Sequence, residues 1–529
     1  MQYNMPIYLC VFLPAVLGGY YMTPKKYRWA VLLLASFVFY LITGGTLIVF
    51  ILASSLFIYS AGLWLDRINQ KYAGIIADSD KTQRKTIKQK MNREKKIITG
   101  ISASILIGVL LFLKYFNFFG SNINGLINNL FGLTPIPTLS LILPLGISFY
   151  TLQSVGYITD VYRGTVKADK NPFRVCLFLT FFPQLIEGPI CRYSQTAESL
   201  YNGNDYDSKN IVSGFQLIIW GLFKKIIIAD RLNVLVNQVF SNYSNYGGAI
   251  ISISVLCYTI QLYCDFSGCM DIVRGSGELF GVILPKNFER PFFSGSVSEF
   301  WRRWHISLGK WFKDYLFYPV SLSSPVKKLG KFSRTRFGSR AGKLIPAVCA
   351  LFLVWFSTGL WHGASWKYVV YGLYYFFLIS LGMVLEPELN EIKNRLNIKK
   401  ESKLYKAFQI FRTFILVNLG MLIFRADNLQ VCINMFSKLF TDFNPVQVLS
   451  FFSINLKVDI NDIIILIISC TVLLTMEILR ERGLDIRKKL SEKPTAARWA
   501  VYYACVLAII IFGAYGWGYS PSALMYASY

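Results

Sequence analysis

Histidine is almost missing from this chain: only His305 and His362 occur among 529 residues. Any chemistry that needs an imidazole near neutral pH is therefore confined to two positions. Ten cysteines are scattered through apolar segments without one Cys-x-x-Cys pair, which argues against a zinc site and against a disulfide framework. They read as lipid-facing or packing residues. No Walker-type Gly-Lys-Ser/Thr segment, Rossmann glycine fingerprint or Gly-x-Ser-x-Gly elbow occurs, so ATP-driven transport and soluble-hydrolase chemistry gain no support. Acidic residues are scarce, 29 against 55 Lys and Arg. The sequence also has no internal repeat, no low-complexity tract and no stretch that reads as a soluble domain.

What it has in abundance is apolar surface. Hydrophobic residues make up 54% of the chain and aromatics 16%, more than one water-soluble core would hide. Runs of membrane-spanning length recur throughout, at Met5–Met22, Trp29–Thr43, Thr46–Leu65, Ile97–Leu113, Leu344–Trp361, Trp366–Leu385 and Ile463–Leu479. The pattern predicts an all-α polytopic membrane protein forming one membrane domain over 1–529. It divides into N-terminal helices (1–135), a core with both histidines (136–385) and C-terminal helices (386–529). Met1–Asn4 carry no positive side chain and no small-residue cleavage site follows, so the first span is expected to be a retained helix.

The formal charge of +26 suggests nucleic acid only at first sight, because the basic residues sit in short loops between hydrophobic spans. The positive-inside bias accounts for them, and no nucleic-acid partner is expected. Arg67–Lys96 holds ten basic and three acidic residues, and Lys327–Lys343 seven basic residues and no acid. Both should face the cytoplasm, the former as a solvated, helix-rich loop. Placing Lys25, Lys26 and Arg28 inside then puts the N-terminus outside. Basic loops at Arg163–Arg174, Lys393–Lys406 and Arg480–Arg498 also fall inside, while Phe116–Thr138 and Arg425–Asp462 suit the outer side. Three apolar segments (Val175–Ile190, Ile211–Ala229 and Ala249–Tyr263) lie between two cytoplasmic loops, and an odd number cannot all span. The Pro- and Gly-interrupted Phe181–Pro189 region is expected to be re-entrant or buried, since broken backbone at membrane depth survives only inside protein or beside a water-filled cavity.

Both histidines sit in aromatic settings. His362 lies in Trp361-His362-Gly363-Ala364-Ser365-Trp366, at the junction of two apolar helices and toward the outer end of its span. It reads either as an interfacial histidine in an aromatic belt or as a general base that takes a proton from a hydroxyl. His305 lies in Phe300-Trp301-Arg302-Arg303-Trp304-His305-Ile306-Ser307-Leu308. Helical spacing would gather Trp301, Trp304, His305, Leu308, Trp311, Phe312 and Tyr315 on one face, an amphipathic helix along the cytoplasmic interface. That explains the arginines but not the lone histidine on the apolar side. Glu187, near Gln184 in Phe182-Pro183-Gln184-Leu185-Ile186-Glu187-Gly188-Pro189, and Asp265, in Gln261-Leu262-Tyr263-Cys264-Asp265-Phe266, are polar residues in apolar surroundings. Each reads either as a buried helix-end cap or as a group that orients a histidine or lines a polar path.

Four segments, taken together, resemble the membrane-bound O-acyltransferase family in its bacterial alginate O-acetyltransferase-like branch. They are LPLGISFYTLQSVGYITDVYRG from Leu143, FFPQLIEGPICRY from Phe181, QLYCDFSGCMDI from Gln261 on through PKNFERPFF to SEFWRRWHISLGKWFKDYLFYPV, and TGLWHGASWKYVVYGLYY from Thr358. The resemblance implies a ring of about 11 to 13 transmembrane or re-entrant helices around a central cavity with a thin partition. It also implies a cytoplasmic entrance for the acyl donor and an outer funnel for the acceptor. His362 maps onto the family's catalytic histidine and His305 onto its second one, with Trp361, Trp304, Asp265, Glu187, Gln184 and Ser307 as candidates for the substrate path. Glu187 and Gly309 depart from the residues expected at those places, and Leu524–Tyr529 does not match the aromatic tail of the alginate branch.

The function expected from the resemblance is O-acyl transfer, with O-acetyl as the expected group. The donor is an acyl thioester such as acetyl-CoA, with no bound cofactor and no metal. The acceptor is a hydroxyl of a cell-surface polysaccharide or of an extracytoplasmic partner that relays the group. The setting is the bacterial cytoplasmic membrane, with membrane lipids around a multi-pass chain. A polysaccharide or lipid-linked sugar exporter, or a non-catalytic scaffold of a surface-modification complex, would share the helices and basic loops. Neither would need His362.

Overall fold

The computed structural model describes residues 1–131, 135–399, 401–451 and 459–515. The C-terminal Leu524–Tyr529 lies outside them. Helices dominate, and among the described residues no β-strand forms; the one isolated bridge joins Phe288 and Trp304. Nine apolar helical stretches in the described residues are long enough to cross a membrane, and Ile7–Met22 is a shorter apolar helix. Six of the seven runs singled out in the sequence fall within these helices, and Met5–Met22 does so from Ile7 onward. The chain is an integral membrane protein of the all-α, polytopic class. It forms two compact units, Met1–Phe215 with Val273–Pro285, and Gln216–Ile272 with Lys286–Tyr529.

In the first unit, Arg28–Gly44 and Ile48–Ala77 are separated where Gly45 takes a positive φ of 56°, a conformation glycine adopts without a Cβ clash. Ile48–Ala77 packs against Lys81–Phe131, Ile147–Arg163 and Pro172–Thr180. Lys81–Phe131 has 51 residues. At 1.5 Å per residue it extends roughly 75 Å, more than twice the thickness of a hydrocarbon layer, so its basic first turns must emerge from the apolar zone. The segment 67–96 is thus helical on both sides of a turn at 78–80, as the loop reading expected, and Tyr72 donates to Glu94 at 2.5 Å between its two arms.

The interrupted segment is enclosed as expected. Pro172–Thr180 is followed by a single 3-10 turn, Phe182–Gln184, and every residue over 175–191 is buried. Its freed backbone groups find internal partners. Tyr3 Oη donates to the Phe182 carbonyl at 2.8 Å and accepts from the Ile186 amide at 3.1 Å, and Ser36 Oγ accepts from the Phe182 amide at 3.0 Å.

In the second unit the helix Ser324–His362 is broken at Gly338 (φ 85°), which reverses the chain so that 324–337 lies against the start of 339–362. Gly330 and Gly342 meet there: a Cβ on Gly330 would stand 3.2 Å from the Gly342 carbonyl oxygen. The segment 339–362 then packs along Trp366–Arg395, which packs along Lys403–Arg425. The first of these contacts is backbone to backbone. A Cβ on Gly359 would lie 2.4 Å from the Tyr368 carbonyl oxygen, and one on Gly372 2.3 Å from that of Trp355.

Candidate active site

The segment around His305 does not form one amphipathic helix. Val297–Arg303 ends, Trp304 is extended, His305 takes a left-handed conformation (φ 47°, ψ 51°), and a new helix runs over Ile306–Phe312. What breaks the periodicity is a pairing with a distant segment. Glu289 N–H donates to the Arg303 carbonyl at 2.9 Å, and Ile306 N–H donates to the Asn287 carbonyl at 3.0 Å, across the Phe288–Trp304 bridge. The interfacial-helix reading is therefore corrected: Trp304, His305, Leu308, Trp311 and Phe312 are buried in protein. A non-glycine residue in left-handed backbone costs on the order of 1–2 kcal/mol, strain that persists where surrounding structure imposes it and that clusters at functional sites.

Asn287 organises the turn. Its Oδ1 accepts from both the amide and the hydroxyl of Ser307, each at 2.9 Å, and lies 3.3 Å from His305 Nδ1. Because the Ser307 amide must donate, the atom facing it is the carbonyl oxygen, so His305 Nδ1 carries the hydrogen and Nε2 the lone pair. The ring of Phe266 stands edge-on to His305 at 4.8 Å. Burial pushes the imidazole pKa down to about 3. His305 is neutral throughout the physiological range, able to accept a hydrogen bond but a poor proton acceptor.

His362 closes its helix where Gly363 and Ser365 turn the chain into Trp366–Arg395. It is 3% exposed and is surrounded by rings: Trp361 at 5.1 Å, Phe424 at 5.1 Å and Tyr371 at 5.6 Å. Trp361 also meets His305 at 5.6 Å. The two histidines, 57 positions apart in the chain, are thus joined across one indole.

The other candidates separate. Ser307 belongs to the Asn287 cluster, and Trp304 packs on Phe288 at 5.0 Å. Asp265 pairs with Lys225 at 2.5 Å, and Lys225 also binds Asp230 at 2.9 Å. Asp265 therefore anchors the helix Gly248–Leu279, whose next residue, Phe266, touches His305. Gln184 and Glu187 belong to the first unit, both buried in the interrupted segment, with Gln184 Nε2 donating to the Phe178 carbonyl at 2.9 Å.

Sequence reasoning passed over several residues. Asn287 lies inside the quoted PKNFERPFF without a side-chain signal of its own, and Phe266, Tyr371 and Phe424 are three of many aromatics. Lys224 and Lys225 did carry a signal: two cations inside an apolar span. Both fall in a π-helical turn, Phe223–Ala229, and Lys224 pairs with Asp271 at 2.7 Å. Among the described residues no group of three His, Cys, Asp or Glu side chains is placed to hold a metal.

The family model for MBOAT, membrane-bound O-acyltransferase family, matches residues 168–422, a range containing both histidines, Asn287 and the Lys225–Asp265 pair. The chain is 33% identical over 441 residues to the probable alginate O-acetylase AlgI of Pseudomonas aeruginosa, covering 83% of this chain and 75% of that protein. It is 29% identical over 463 residues to the peptidoglycan O-acetyltransferase of Helicobacter pylori, covering 81% and 78%. A teichoic acid D-alanyltransferase of Bacillus subtilis shares 29% identity over 249 residues, 46% of this chain and 60% of that one. A relative one-third identical over most of both chains, with the family-model match, places this protein in the membrane-bound O-acyltransferase family, as an O-acyltransferase.

Proposed function

We propose that the protein transfers an acyl group, acetyl in the simplest case, from a thioester donor on the cytoplasmic side to a hydroxyl presented at the outer side of a bacterial cytoplasmic membrane. The arrangement that carries this reading is the two buried imidazoles that both meet the Trp361 ring, one of them neutral and fixed by Asn287. His362 is the general base. It takes the hydroxyl proton as the acceptor oxygen bonds to the thioester carbonyl carbon; the carbon–sulfur bond then breaks and the thiol leaves with the proton. Such base assistance contributes about 10²–10⁴ in rate. His305 is a positioning residue whose Nε2 accepts a hydrogen bond from donor or acceptor. The named activities of the relatives, on alginate, peptidoglycan and teichoic acid, support a cell-surface polymer as acceptor, reached directly or through a relaying partner.

The test is ester-linked acetate on surface polymers from cells producing wild type, His362→Ala and His305→Ala at matched membrane levels. Loss of acetate in His362→Ala is the expected result, and the polymer that loses it is the acceptor. Persistence in both variants would remove the histidines from the chemistry.

A further inference from the structure

Within the second unit, lined by Tyr263 and Phe292, whose rings pack near Trp304, is a cavity of about 250 Å³. Its walls include Ile260, Tyr263, Phe292, Phe414 and Leu473, and Leu474, 55% exposed, stands at its open side. Charged groups gather at one end. Cys470, Leu473 and Leu474 line it along the helix Ile460–Glu481, and Glu477 follows on the same helix, so Cys470 and Glu477 are separated by roughly 10 Å of helix axis. The cavity is therefore apolar along its length and polar at one mouth, the shape of a site for a chain with a head group.

The mouth has one acid that the protein leaves available. Arg290 and Arg303 are both committed to Glu481, at 2.6 and 3.3 Å, and Arg303 also to Glu299 at 2.7 Å. Glu477 is held only by one long ion pair, with Arg480. It is 8% exposed, its Oε2 has no hydrogen-bond partner among the described residues, and Arg480 Nη1 stands 3.8 Å from its Oε1, beyond hydrogen-bonding distance. The Arg480 guanidinium rests over the Trp220 ring at 5.6 Å. A buried carboxyl inside a spanning helix is costly unless something binds it. Here the acid and the base sit side by side without closing on each other, a complement for a group carrying both charges.

We propose that this cavity binds one acyl chain of a zwitterionic phospholipid with a primary-amine head group, its ammonium on Glu477 and its phosphate on Arg480. A trimethylated ammonium has no N–H to donate to Glu477, and an anionic glycerol head group presents no cation to it. Head-group selectivity follows.

The test uses the full chain in nanodiscs holding equal amounts of phosphatidylethanolamine, phosphatidylcholine and phosphatidylglycerol with identical chains, with retained lipid read by native mass spectrometry. Wild type should retain one phosphatidylethanolamine per chain with about tenfold preference, the scale of one charge-assisted hydrogen bond. Glu477→Gln should bring the three lipids near parity, and Cys470→Phe, which fills the chain's path, should lower retention of all three. Parity in the wild type would overturn the proposal without recourse to any variant, as would a preference that survives Glu477→Gln.

Discussion

His305 and His362 lie against one indole, with ring centroids 5.6 and 5.1 Å from that of Trp361. Trp361 therefore packs against both imidazoles. Trp361→Ala should remove both the indole and its packing, at about 3–5 kcal/mol for a buried tryptophan. Trp361→Phe should preserve the fold and lower the transfer rate. Thermal unfolding in detergent alongside acetate transfer separates the two effects; equal rates in wild type and both variants would show that the indole is only filler.

The depressed pKa of His305 has a signed consequence. Burial lowers it from 6.5 to about 3, so between these values the unfolded chain binds a proton that the folded chain refuses. The stability that the neutral imidazole contributes is present above about pH 6.5 and is lost as pH falls toward about 3. His305→Gln should flatten this slope in melting curves recorded from about pH 4 to about pH 8. The same variant should leave any near-neutral ionisation in the kcat/KM profile in place, since His305 does not titrate there. If that ionisation vanished in His305→Gln but stayed in His362→Gln, the roles proposed for the two histidines would be reversed.

Asn287 is expected to matter through His305 rather than through substrate. Asn287→Ala removes the shared acceptor of the Ser307 amide, the Ser307 hydroxyl and His305 Nδ1. Leaving a buried donor unsatisfied costs about 1–3 kcal/mol. Asn287→Asp keeps the acceptor and adds a charge that favours the imidazolium. Its transfer rate should therefore show a second ionisation on the acid side, from His305, beyond the one expected of the general base, which a pH–rate profile would show. Identical profiles would mean that Asn287 supports the turn alone.

The spans were legible because apolar runs of sufficient length have few alternatives to crossing a bilayer. The interrupted segment was legible for a related reason: Pro183, Gly188 and Pro189 forbid a regular helix, and broken backbone in an apolar setting must be enclosed. The helix across His305 was misread because periodicity is a local signal, whereas the break comes from hydrogen bonds to Asn287 and Glu289, distant in sequence. Asp265 was legible as a buried acid, but its partner was not. Nothing in the residues flanking Asp265 points 40 positions back to Lys225.

Glycine contacts around His362 give a sharper mutational contrast. Gly359→Ala would place a methyl group 2.4 Å from the Tyr368 carbonyl, forcing 339–362 away from Trp366–Arg395. Overpacking of this kind costs about 1–3 kcal/mol, and here it would also displace His362, one turn farther along. Gly382→Ala, on the same second helix, meets nothing within 4 Å and should be tolerated. Matched expression, melting temperature and transfer for the two variants test the contrast; equal behaviour would mean that the helix contact yields at little cost.

Lys225 is expected to act on chemistry from a distance. Lys225→Met would leave Asp230 and Asp265 buried without their cation, a loss of about 3–5 kcal/mol. The triple variant Lys225→Met, Asp230→Asn, Asp265→Asn removes all three charges and should recover much of that stability, because a neutral core no longer holds an uncompensated charge. Transfer should recover with it if Asp265 serves only to hold the helix that presents Phe266 to His305. A triple variant that is stable yet inactive would instead place a charge of this cluster on the substrate path, as one reading of Asp265 from the sequence allowed. Stability and transfer measured on the single and triple variants therefore decide between an anchor and a path residue.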